Sequence, residues 1–294
     1  MLRTKTDRIV MVIFYTVIAL FAFACLYPIV LTFMTSITDE QTLVRNGYQL
    51  FPEKFSLAAY NIIATTMSSK VFSAYRITVM VTVVGTCLSL FVTASAGYVV
   101  SVRDFKHRNF INMLLYIPMV FSAGLLPWYL VCTKYYHLTN TIWALILPPC
   151  LNVFNVFLMR NFFSSLPSAV FESARIDGAG HFRIFFLIAI PMAQVGIITV
   201  GMLYALSYWN DYYNALMFIR KSNMYPMQYY LYNILSNIQF AARQSQSHTN
   251  YNITIPSETM KMAIIIVTIL PILFLYPLIQ RYIVKGVVVG AVKG

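Results

Sequence analysis

The chain has 294 residues, of which 59% are hydrophobic and 10% charged, and its net charge is +12. This balance excludes an ordinary soluble domain and leaves room for about six membrane helices joined by modest loops. The basic excess does not gather on an aromatic-laced soluble surface, so it argues against a nucleic-acid partner and reads as membrane orientation.

In chain order, a basic tip with Arg3, Lys5 and Arg8 leads into a first span over 9–34. Leu20 to Cys25 looks like a lipoprotein cleavage box, but the apolar run continues through Met34, too long for a signal-peptide core, so no cleaved leader is expected. An outer loop over 35–70 carries the turn signals Asn46-Gly47 and Phe51-Pro52. The second span, 71–100, is rich in Val, Thr, Ser and Gly, which suits close helix packing. After a short basic loop come a third span over 110–131, broken by Pro118, Gly124 and Pro127, and a fourth over 142–163, broken by Pro148-Pro149. A fifth over 184–207 has Pro191 near its start, an outer loop covers 208–257, and the sixth span is 260–283. Prolines in spans either curve the bundle or serve as hinges, and both readings stand. Cys25, Cys87, Cys132 and Cys150 sit in or beside apolar runs without metal or disulfide spacing and read as packing residues.

With both termini inside, the inner segments hold Arg3, Lys5, Arg8, Arg103, Lys106, Arg108, Arg160, Arg175, Arg183, Arg281, Lys285 and Lys293, more than half of the 21 basic residues. The positive-inside rule then puts residues 168–180 in the cytoplasm. There Pro167-Ser168 signals a helix start, Glu172 sits early enough for the helix dipole to favour it, and Gly178 can close the helix in a left-handed conformation. The chain carries no phosphate-binding loop, zinc-binding helix pair, nucleophile elbow or paired carboxylates at hydrolase spacing. No acid lies mid-span, which argues against a proton relay and for energy supplied by a partner.

The run Glu172-Ser173-Ala174-Arg175-Ile176-Asp177-Gly178-Ala179, followed by Ile188-Ala189-Ile190-Pro191, resembles the EAA motif of ABC-importer permeases, with mild departures at Ser173 and Ile190. The tail Gln280–Lys285 through Val292-Lys293-Gly294 resembles that of maltose-type permeases in the carbohydrate-uptake branch, as does the Trp209-Asn210-Asp211 step. The resemblance implies an all-α membrane protein of six transmembrane helices with the type I ABC importer permease fold, in a bacterial inner membrane. It implies that Glu172, Ala174, Arg175, Asp177, Gly178 and Ala179 form the coupling helix that docks on an ATPase. Val292, Lys293 and Gly294 would reach into the ATPase dimer, or else fray near anionic lipid. The implied partners are a second homologous permease subunit, two ATPase subunits carrying ATP and Mg, an extracytoplasmic solute-binding protein and a carbohydrate, expected to be an oligosaccharide. This chain itself would be no enzyme and hold no cofactor.

Trp209, Asn210, Asp211, Tyr212 and Tyr213 combine aromatic faces with amides and a carboxylate, which suits a sugar path, though an aromatic belt at the bilayer surface has the same composition. Alternatives stay open at this point: a permease for a peptide, polyamine or phosphonate, an ion-driven secondary transporter, or a membrane-embedded enzyme.

Overall fold

The computed structural model describes residues 5–245 and 258–291 and is helical almost throughout. In chain order the helices are α1 (Lys5–Ser36), α2 (Glu40–Asn46), α3 (Ala58–Thr65), α4 (Ser68–Ser101) and α5 (Arg108–Val120). Then come α6 (Leu125–Tyr135), α7 (Trp143–Ile146), α8 (Val153–Ser164), α9 (Ser168–Ile176) and α10 (His181–Met192). The last four are α11 (Gln194–Trp209), α12 (Tyr213–Phe218), α13 (Met227–Ser245) and α14 (Glu258–Ala291).

Among the described residues, the stretch Asp7–Ser36 and α4 are long and apolar enough to cross a membrane alone. Two bent pairs meet the same test together, α5 with α6 at 115° and α10 with α11 at 82°. Each bend has a chemical cause. Gly124, at φ 82°, turns the chain between α5 and α6. Pro191 cannot donate to the Leu187 carbonyl, and the helix relaxes into a π-turn over Phe185–Ala189 before bending at Ala193.

Residues 142–163 do not form one continuous helix. Pro148-Pro149 interrupts the backbone ladder and leaves α8 with 12 residues, about 18 Å of rise against a hydrocarbon core of about 30 Å. The outer loops read at 35–70 and 208–257 also differ, since they contain α2, α3, α12 and α13. Their low hydropathy hid them because these helices are short or polar, and helicity there comes from packing rather than apolar length.

The chain folds as two compact units. The first combines the described part of Met1–Ser69 with Asn233–Pro271. Within it, Thr38 and Phe55 form an antiparallel bridge, and the Asp39 amide donates to Lys54 O at 3.0 Å. Glu40 opens α2 and also caps α14. Its carboxylate accepts from the Glu258 and Thr259 amides at 2.9 and 3.0 Å and from the Thr259 hydroxyl at 2.6 Å. A negative charge on N–H groups at the start of a helix is favourable on both hydrogen-bonding and dipole grounds.

The second unit, Lys70–Tyr232 with Ile272–Gly294, is built around α4, α8 and α11. Small residues allow the close approach: a Cβ at Gly85 would lie 2.6 Å from the Tyr208 ring, and one at Gly196 would lie 2.5 Å from Phe162. The contact faces are closely packed, with Val156, Met159 and Val200 buried.

Candidate functional site

The segment 168–180 lies beside the C-terminal end of α4, near Asp104 just beyond it. Pro167, at φ −61° and ψ 123°, starts α9. Its end is a complete Schellman closure: the Ala179 amide donates to Ala174 O at 2.9 Å, the Gly178 amide donates to Arg175 O at 3.0 Å, and Gly178 takes φ 78°. This gives a physical meaning to the spacing Ala174…Gly178-Ala179. The three residues are the two ends and the left-handed pivot of one capping motif.

Burial sorts the motif into two faces. Ala174 is 8% exposed and belongs to the core of the second unit, and Ala179 packs partly buried against the same core. Their smallness therefore seats α9 on its own chain, a correction to the reading in which both alanines face outward to a partner. Glu172, Arg175, Asp177 and Gly178 are exposed. Glu172 is the fifth residue of α9 and lies beyond the first turn, so the helix dipole is not what places it there.

Arg175 already has a partner in the chain, the Asp104 carboxylate at 3.2 Å. Asp104 is the sole acid of the basic loop Arg103–Arg108, and that isolation was the signal that could have marked it. The sequence reading also passed over Ile176, 86% exposed, and Phe182, 83% exposed, two apolar side chains that flank the charged face. An apolar residue inside an otherwise charged turn was the available clue.

The other end of the second unit lies toward the start of α4, where the Met227 amide donates to the Thr78 hydroxyl at 2.8 Å. Asp211 is committed locally, accepting from the Asn214 amide at 3.1 Å and from its side chain at 2.7 Å, which starts α12. Asn210 accepts from Gln228 at 3.3 Å. Trp209 is 9% exposed, and its indole N–H has no hydrogen-bond partner among the described residues. It lies beneath the surface and is no open stacking platform in this conformation. Tyr212 and Tyr213 are exposed.

Tyr212 stacks on Tyr232 with ring centroids 5.1 Å apart, Tyr232 stacks on Tyr229 at 6.2 Å, and Tyr225 meets Tyr229 edge-on at 4.6 Å. These rings fall in the outer loop expected over 208–257, and their stacking depends on α13 returning to the end of α11. Burial first, and then Tyr225, raise Tyr229 above the ordinary phenol range. Val292, Lys293 and Gly294 lie outside the described residues.

Residues 90–289 match the family described as binding-protein-dependent transport system inner membrane component. The polygalacturonan/rhamnogalacturonan transport system permease protein YtcP of Bacillus subtilis is 34% identical over 288 residues, covering 98% of this chain and 99% of that protein. The arabinooligosaccharides transport system permease protein AraQ of Halalkalibacterium halodurans is 29% identical over 296 residues, with 100% of both chains covered. In the crystal structure of a bacterial ABC transporter involved in the import of the acidic polysaccharide alginate, one chain superposes with a TM-score of 0.82 at 27% identity. The match covers 96% of this chain and 99% of that one.

Proposed function

The chain belongs to the family of binding-protein-dependent transport system inner membrane components, and from that membership we propose how it works. It is a membrane permease of a carbohydrate ABC importer, in line with relatives named for polygalacturonan/rhamnogalacturonan, arabinooligosaccharide and alginate transport. The cargo in this reading is an oligosaccharide. The chain crosses a bacterial inner membrane six times with both termini in the cytoplasm and pairs with a second, homologous permease. A binding protein delivers the sugar outside. Two ATPase subunits, holding ATP and Mg, close and move α9.

The observation that carries the proposal is the two-faced α9. Ala174 is seated on the chain's own core, and the exposed face offers Glu172, Asp177 and the apolar Ile176 to another surface. Docking of this face converts ATP-driven closure into rotation of the helices behind it, a two-state change biased by differential binding. Val292–Gly294 would add a second contact to the ATPase dimer. At the far end, Tyr212 and Tyr213 give the sugar its stacking faces, Asn210 and Asp211 shape the rim, and Trp209 lies beneath them.

Gly178→Asp tests the docking role directly. The substitution puts a side chain on a left-handed position that glycine fills at least cost and, above all, adds a charge to the docking face. Membrane abundance should be retained while co-purification of the ATPase and uptake of the sugar bound by the accompanying binding protein are lost. Wild-type uptake at normal abundance would remove the coupling role from α9.

A further inference from the structure

The broken fourth segment is held at both ends by two tyrosines from α11. Tyr208 donates its hydroxyl to Ile146 O at 2.8 Å, just before the Pro148-Pro149 interruption. Tyr204 accepts from the Asn152 amide at 3.0 Å, just after it. These are two of the backbone groups the interruption strands, beside the Ala144 and Leu145 carbonyls that Pro148 and Pro149 cannot serve. In a continuous helix Ile146 O would accept from residue 150 and Asn152 N would donate to residue 148, but the Cys150 amide turns instead to Leu147 O at 3.1 Å.

Each phenol is backed by a hydroxyl from α4. Ser89 pairs with Tyr208 at 2.8 Å, and because Tyr208 spends its proton on Ile146, the serine donates. Thr93 pairs with Tyr204 at 2.7 Å. Both pairs are spaced four residues apart on their own helices, so they stack one turn above the other. The groups are buried, Tyr204 and Tyr208 at 2% exposure and Ser89 and Thr93 at 0%.

We propose that Tyr204 and Tyr208 are positioning residues for transport, a clasp that makes the unwound 147–152 segment a defined hinge rather than a slack break. The segment leads straight into α8, and α8 leads into α9. A push on α9 is delivered along α8 to this hinge, and the clasp passes it to α11 and α4, the helices that reach the opposite end of the unit. The two phenols offer one donor and one acceptor to the stranded backbone, so the hinge can bend while both groups stay paired, which membrane-depth backbone demands. The reading rests on the coupling role of α9.

The test uses the assembled importer in proteoliposomes. Spin labels go on Phe182→Cys and Tyr135→Cys, both highly exposed positions, after the exposed Cys25 and Cys87 are replaced by alanine. Vanadate trapping with Mg-ATP should shift the inter-label distance in the parent. In Tyr204→Phe/Tyr208→Phe the shift is expected to be lost while the complex still assembles and hydrolyses ATP. A parent-like shift in that variant overturns the clasp, including the case where thermal stability alone falls. Should the double variant fail to assemble, Ser89→Ala with Thr93→Val decides, since it loosens the phenols without touching the hinge, and a parent-like shift there also overturns the proposal. Gly178→Asp in the same assay separates the two readings. A shift that survives Gly178→Asp removes the coupling role of α9, whereas a shift lost there but kept in the tyrosine variants removes only the clasp.

Discussion

Gly85 shows how much of this molecule turns on single missing atoms. A Cβ there would stand 2.6 Å from Tyr208, and the ring it meets is buried and hydrogen-bonded on its far side, so it has nowhere to retreat. Gly85→Ala should therefore destabilise the second unit by about 1–3 kcal/mol, the usual cost of overpacking a dense core. Thermal unfolding of the purified protein in detergent checks it, and an unchanged midpoint would mean that α4 and α11 separate more easily than the contacts imply. Gly178 differs, because its Cβ would meet nothing and only its φ of 78° restricts it. Both glycines are visible in the sequence, yet only the second could be understood there. A left-handed pivot after a short helix is a local signal, whereas the seat for Tyr208 depends on a residue more than 120 positions away.

At the scale of elements, α9 was legible to the residue because Pro167, Gly178 and the alanines all act within one short window. The cap on α14 was not, since Glu40 reaches Glu258 across 218 residues of sequence and nothing near either position announces it. The same holds for α13, whose polar composition gave no apolar run to read. Glu40→Ala removes a carboxylate that caps the amides at a helix start, which should cost about 1–2 kcal/mol, with Glu40→Gln recovering part of it. Hydrogen exchange at the Glu258 and Thr259 amides gives the local readout. Those two amides should exchange faster in Glu40→Ala while amides in the middle of α4 hold their protection. Equal protection at all positions would show that Lys261, which pairs with Glu258, or another group takes over the cap.

For the whole molecule, the second unit places two different chemistries at opposite ends of α4. From Thr78, near the tyrosine stack, to Ser101, beside the Asp104–Arg175 pair, the helix rises about 35 Å. Damage at the two ends should therefore separate in function. Ile176 is almost wholly exposed, so Ile176→Asp replaces a side chain that packs on little among the described residues, and stability should stay within about 0.5 kcal/mol of the parent. What it should remove is the apolar contact to the ATPase, abolishing co-purification and, with it, all uptake. Tyr212→Ala takes one exposed ring from the far stack. It should leave ATPase co-purification intact while slowing uptake, because the proposed sugar path loses a stacking face and α9 loses nothing. Pull-down and uptake measured side by side on the two variants decide the matter. If Tyr212→Ala transports like the parent, the stack serves the packing of α13 rather than the cargo. If Ile176→Asp still brings down the ATPase, the charged side chains Glu172 and Asp177 carry the docking without the apolar contact between them.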